Sequence, residues 1–379
     1  MASLVVTNAR IVTDTAIVNG GLHVDAGVIQ AIDGDGPSPL SAVDFEGDFL
    51  LPGLVELHTD NVEKHLVPRA SVRWPHPLAA MIAHDNQVVG AGITTVLDAM
   101  AVGEYRRGGE RREIIAEAVA ALRRGKAEDL FRADHHLHLR CEVSDAAVVE
   151  MAEPYVDDPL LRLFSVMDHT PGQRQFQDLE RFRRYRVGTG VAALDVDREI
   201  EELRAAQSDF AHRHRHIVLG WARERGLPVA SHDDTTEAHI AEAVADGIAI
   251  SEFPTTRVAA RLARDAGIKV VMGGPNVVRG GSHSGNIAAM SLAEDGLLDA
   301  LSSDYAPKSL LHAAFLVAND AGLALPDAIA LVTRNPAGML GLDDRGVIAA
   351  GKRADLLRVR LVDGLPIVRT VWVEGERVL

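Results

Sequence analysis

Residues 50–65 read LLPGLVELHTDNVEKH, an apolar strand that ends in His58, Asp60, Asn61, Glu63, Lys64 and His65. His58 and Asp60 are two apart, so on a strand their side chains leave the same face. An imidazole nitrogen and a carboxylate oxygen placed together suit a divalent ion such as Zn, Mn or Fe. A lone pair of this kind is common among capping and surface residues. It gains meaning because donors of the same types recur at Glu142, His169, His232 and Asp304, each at the end of a short apolar run. One ion needs about four ligands, and two ions sharing a carboxylate need about five or six. The six residues therefore suffice for one ion and fit two.

Basic residues follow the same runs. Lys64, His65, Arg69 and Arg73 come after the first, Arg140 precedes Glu142, and Lys308 follows Asp304. In PNVVRGGSHSGN, Asn276, Arg279 and His283 are interleaved with glycines that permit close backbone approach. Phosphate oxygens are bound by such cations and by exposed backbone amides. The chain as a whole carries a formal charge of −15. That balance argues against a nucleic-acid partner, whereas local basic clusters still admit a small phosphorylated ligand.

The elements that must position these groups alternate. GLVELHTD, GITTVLDAM, HHLHLRCEV, RLFSVMDHT, LPVASHDDT, GIAISEFPT, IKVVMGGPN and LDALSSDYAP are strand-like and separated by helical stretches such as REIIAEAVAALRRG. Strand and helix repeated this way imply a parallel sheet wrapped by helices. Eight such units match a (β/α)8 barrel, an α/β fold whose C-terminal strand ends form the active-site face. A doubly wound open sheet shares the alternation, but no Gly-rich nucleotide fingerprint follows the first strand. Residues 3–33 and the C-terminal segment instead read as antiparallel hairpins with Asn-Gly, Ala-Gly, Asp-Gly and Glu-Gly turns. The expected organisation is a small β-sandwich domain built from both termini (1–51 and 340–379) around a TIM-like barrel (52–339). Residues 171–225 exceed an ordinary connection and read as a helical excursion. That excursion is either a lid, or padding or a contact in a homo-oligomer.

Strand-end His-x-Asp after LPGL, SHDD, SSDY and the closing GVIAAGKRADLL together resemble the amidohydrolase superfamily. More narrowly, HTDNVEKH, LHLRCE, MDHTPGQRQF, SEFPTT, PNVVRGGSHSGN and SSDYAP are similar to the PhnM-type enzymes of phosphonate breakdown, from about residue 46 to the C-terminus. That resemblance implies hydrolysis of ribose 1-alkylphosphonate 5-triphosphate to the 5-phosphate and diphosphate. It implies one or two divalent ions, with Zn, Mn, Fe and Mg all open, and Asp304 as acceptor of the water proton. Lys64, His65, Arg140, Asn276, Arg279, His283 and Lys308 would then serve the phosphorylated sugar. Two departures stand out. Asp60 replaces the second histidine of the superfamily's usual His-x-His, and Glu252 stands where its sixth-strand histidine is expected. Both make the site harder and shift it toward Mn or Mg.

Two other readings compete. An ordinary amidohydrolase, cleaving a cyclic amide or deaminating a ring, needs fewer cations at the strand ends. A non-catalytic barrel scaffold is expected to have lost ligands, whereas His58, His232 and Asp304 are present. Cys141 is the only cysteine, so no intrachain disulfide can form. Its alternation with Arg140 and Glu142 predicts a buried thiol. With no secretory n- and h-region pattern and no transmembrane-length apolar run, the expectation is a cytoplasmic protein with no membrane partner.

Overall fold

Why the strand ends converge is visible in the computed structural model, which describes residues 3–33, 42–69, 72–103, 110–188, 190–282 and 285–379. Eight parallel strands run in sequence order: β1 (Leu54–Thr59), β2 (Ile93–Val102), β3 (Asp134–Glu142), β4 (Leu161–Met167), β5 (Val229–His232), β6 (Ile250–Glu252), β7 (Lys269–Gly273) and β8 (Ala300–Ser302). All eight sequence segments overlap their strand; β2 runs two residues beyond its segment, and β3 and β4 each begin one residue before theirs. β8 returns to β1 through a parallel bridge between Thr59 and Asp304. There Asp60 N donates to Asp304 O and Asp304 N donates to His58 O, both at 3.0 Å. The bonds that close the barrel thus tie three of the expected ligands together.

Strand composition explains the layering. β2 is buried along its whole length, as a strand covered on both faces must be. Inside the barrel an apolar layer takes one residue from each of seven strands, from Leu57 on β1 to Ala300 on β8, and Met339 and Leu340 pack against it. A far larger core lies between strands and helices. Gly53, in LPGL, lets β1 enter against β2, because a Cβ there would lie 2.1 Å from Thr94 Oγ1.

Both termini enter one continuous eight-stranded mixed sheet. Leu356–Val362 pairs with Phe49–Pro52, which in turn lies parallel to Leu4–Val12. This sheet holds its own core, including Phe45 stacked on Trp372 at 5.9 Å.

The excursion after β4 consists of a short turn of helix (Arg174–Phe176), a helix over Leu179–Gly188, and a 33-residue helix over Ala193–Arg225. The long helix serves twice. Val218, Leu219 and Ala222 near its C-terminus join the barrel core, whereas Val196 and Ile200 near its N-terminus pack with Phe182 in a separate small core. Gly226 ends it in the left-handed conformation, φ 63°. None of the helices among the described residues is long and apolar enough to cross a membrane.

Candidate active site

At the C-terminal mouth of the barrel the donors form two groups, His58–Asp60–Asp304 and His169–His232–Asp233. In each, one ligand atom per residue lies within 4.8 Å of the others. The groups adjoin, with the His58 and His232 rings stacked at 5.6 Å. Five of the six expected ligands are therefore brought together, and Asp233 joins them unforeseen.

The sixth, Glu142, lies outside both groups and is bonded to His169. Its Oε2 accepts from His169 Nδ1 at 2.6 Å, which turns His169 Nε2 toward Asp233 Oδ2 at 3.6 Å. Glu252 does the same for two rings. Its Oε1 accepts from His58 Nδ1 at 3.0 Å and its Oε2 from His232 Nδ1 at 3.3 Å. The two Nε2 atoms then face Asp60 and Asp233, each at 3.5 Å. Anchoring Nδ1 on a carboxylate fixes the tautomer and raises the basicity of Nε2, the usual preparation of an imidazole for a metal. The residues fit a divalent ion on a further count. His58 Nε2 and Asp233 Oδ2 are buried without a hydrogen-bond partner among the described residues, a costly state that a cation would relieve.

The backbone is strained at three of the strand ends. Asp233, Phe253 and Asp304 have φ of 56°, 55° and 52°, a region non-glycine residues rarely occupy. Phe253 sits with its ring 5.1 Å from His58 and 5.3 Å from His232, walling the two histidines. Burial and the neighbouring Asp60 charge raise the Asp304 carboxyl above its ordinary value. Burial would raise Asp60 as well, but the Arg140 guanidinium and His58 hold it well below the carboxylate range. The two adjacent carboxyls shift in opposite directions, which makes Asp304 the more basic of the pair.

Of the expected phosphate residues, Arg140 is at the site and bonded to Asp60. Asn276 lines the cavity, but its side chain bonds Ile287 O and Ala289 N and so holds the loop. Arg279 lines it with no ion-pair partner among the described residues. Lys64 stands at the rim, where its ammonium donates to Tyr305 O and lies 5.0 Å from the Tyr305 ring. His65 is turned away into bonds with Asn61 and Gln87, and Arg73 pairs with Glu113 and Glu117. Lys308 lines a neighbouring cavity instead. His283 lies outside the described residues. Asp168 bonds Thr170 and Gln173 within its own loop and leaves His169 to face the site. Burial pushes the Cys141 thiol up to about 12, so it is no nucleophile.

The cavity above the donor groups has a volume of 1010 Å³. Its far wall is the excursion, which contributes Arg181, Phe182, Arg184, Tyr185 and Arg186. Arg186 is paired with Glu199 at 2.6 Å, whereas Arg181 and Arg184 make no ion pair with a described residue. Arg181 also fixes a glycine. Gly285 in the loop after β7 lies against its guanidinium and takes a φ of 70°, a conformation that favours glycine. The excursion arginines were invisible as ligands in the sequence, because RFRRYR reads as an ordinary solvated helix face.

Comparison with known proteins fits this geometry. Over 99% of the chain and 100% of the relative, the sequence is 45% identical to the alpha-D-ribose 1-methylphosphonate 5-triphosphate diphosphatase of Escherichia coli strain K12. The fold resembles 5-methylcytosine deaminase from Klebsiella pneumoniae, with TM-score 0.67 at 15% identity over 99% and 97% of the two chains. It also resembles dihydropyrimidinase from Brevibacillus agri, with TM-score 0.66 at 13% identity over 100% and 95%. Residues 49–378 match the amidohydrolase family, a span that takes in every barrel strand and every candidate ligand. The chain belongs to the amidohydrolase family.

Proposed function

We infer that the chain hydrolyses ribose 1-alkylphosphonate 5-triphosphate to the 5-phosphate and diphosphate, with a divalent ion or pair of ions held at the barrel mouth. One observation carries this reading: a floor of histidines and carboxylates faces a wall bearing Arg181 and Arg184 across a single cavity, with Arg140 and Arg279 beside it. A cyclic amide has no use for that many cations, while a triphosphate needs them. The full-length relative with this activity supports the same conclusion.

His58, Asp60, Asp304, His169, His232 and Asp233 would hold the metal. When bound, it would acidify water and polarise phosphoryl oxygens, the chemistry a divalent ion brings to hydrolysis. The chain's own residues do the rest. Asp304, raised above its ordinary range, takes the proton of the attacking water. The water oxygen forms the new P–O bond, and the α–β anhydride breaks. Arg181 and Arg184 offset the charge of the departing diphosphate. Phe253 and the excursion keep bulk solvent from the anhydride.

The assay is diphosphate release from the triphosphate with metal-loaded, chelator-treated and reconstituted protein. Release that needs a divalent ion, and falls about a hundredfold or more in Asp304→Asn, is the expected result. Absence of release with every divalent ion tried would overturn the reading.

A further inference from the structure

A second cavity, of 550 Å³, lies beside the first and shares three residues with it, Pro275, Arg279 and Tyr305. Tyr305 follows Asp304 directly, so the shared wall stands next to the catalytic carboxylate. Four separate parts of the chain build the remaining walls, one of them Gly90 and Ala91 at the end of the helix Pro77–Gly90. Val278 comes from the end of the β7 loop, Lys308 and Leu311 from the segment after β8, and Leu365 and Ile367 from the terminal sheet. The character of the cavity is mixed in a particular way. Its side chains are mostly aliphatic, its cations are Arg279 and Lys308, and no acidic residue lines it. Neither cation makes an ion pair with a described residue.

We propose that this cavity receives the alkylphosphonate end of the substrate. The phosphonate oxygens lie between Arg279 and Lys308, and the alkyl group lies against Val278, Leu365 and Ile367. This rests on the function inferred above, which fixes the molecule's direction. The α–β anhydride must lie over the donor groups, and the diphosphate must run toward Arg181 and Arg184. The ribose and its C1 substituent then leave on the other side, past Tyr305. A phosphonate differs from a phosphate ester in carrying a carbon directly on phosphorus, which can make no hydrogen bond. Two cations against an aliphatic wall suit that pairing of charge and apolar surface, whereas a fully polar pocket would not. The cavity is also far larger than a methyl group, so chains longer than methyl fit.

The test uses the metal-loaded enzyme and three substrates: the methylphosphonate triphosphate, its butylphosphonate homologue, and ribose 5-triphosphate with no phosphonate. Wild type should take methyl and butyl with KM values within a few fold of each other. Lys308→Met, at an exposed position, should raise KM for both phosphonates about tenfold or more, as loss of a charged hydrogen bond does, with kcat retained. For the phosphonate-free analogue it should change KM less than about twofold. Ile367→Trp, which fills the aliphatic side, should penalise butyl over methyl by about tenfold. Melting curves of both variants check that they are folded. If wild type releases diphosphate but Lys308→Met affects all three substrates equally or none, or Ile367→Trp fails to separate butyl from methyl, the subsite is overturned. If wild type releases diphosphate from none of them, the parent reading has failed instead.

Discussion

Glu252 receives Nδ1 bonds from both His58 and His232, so a change at one buried carboxylate disturbs a histidine in each donor group. Glu252→Gln keeps the shape but turns one of its two acceptors into an amide donor, which one of the rings must then avoid. Metal affinity should fall about 10–100-fold, the usual cost of losing such an anchor, as read by competition with a chelator. Among the histidines Glu142→Gln touches only His169 and should cost less; an unchanged affinity in Glu252→Gln would remove the anchoring role. The sequence reached most of the residues that gather at the barrel mouth but not how they bond to one another. His58, Asp60, His169, His232 and Asp304 were legible because each closes an apolar run. Glu142 and Glu252 occupy equivalent strand ends, and only their partners reveal that they steer histidines. Asp233 was missed for a geometric reason: strand alternation sends the residue after His232 to the opposite face, and its left-handed φ of 56° turns it back. No residue pattern announces that turn.

The eight barrel strands were legible element by element, because short β-branched runs alternate with helical periods and each ends in polar residues. The excursion was legible as a helical stretch of excess length, but not in its internal division. Its 33-residue helix shows no internal break, so nothing in the sequence marks where barrel packing ends and the wall over the cavity begins. The structure marks it by the separate core of Phe182, Val196 and Ile200, which does not reach the barrel core. A small independent core can open without the rest of the molecule. Phe182→Ala should therefore weaken the excursion locally, by roughly 3–5 kcal/mol if the site does not collapse, and leave the barrel intact. Amide exchange over residues 176–203 should quicken by about a hundredfold or more while the melting temperature of the main transition hardly moves. KM for the triphosphate should rise, because Arg181 and Arg184 ride on the same helix. If exchange quickens equally in the barrel strands, the excursion is not a separate unit.

At the scale of the whole molecule, the barrel is fastened to its helices by a buried polar chain apart from the two donor groups at its mouth. His135, on the outer face of β3, donates through Nδ1 to Asp98 on β2 at 2.8 Å, and its Nε2 lies 3.3 Å from Asp85 on the helix Pro77–Gly90. His84 of that helix donates to the other oxygen of Asp98 and accepts from Asn61. The two histidines are shifted in opposite directions. Burial lowers His84 and outweighs the opposing pull of Asp98. Burial also works against a charge on His135, but Asp98 and Asp85 on either side raise it to about 9. A folded pKa above the unfolded value of about 6.5 means that the native state binds the extra proton between those values. The stability it brings is complete below about pH 6.5 and is lost as pH rises through about 9, on the order of 1–3 kcal/mol in all. Arg132, 3.5 Å from Asp85, keeps its charge throughout and does not alter the sign. Thermal melts from pH 6 to 10 should show the wild-type midpoint falling by several degrees across the upper half of that range. His135→Gln, which cannot take up the proton, should be less stable at pH 6 and show a flatter profile above pH 7, so that the two curves converge near pH 10. Parallel curves would mean that His135 is neutral in the fold and that the two strands and the helix it joins are held by hydrogen bonds alone.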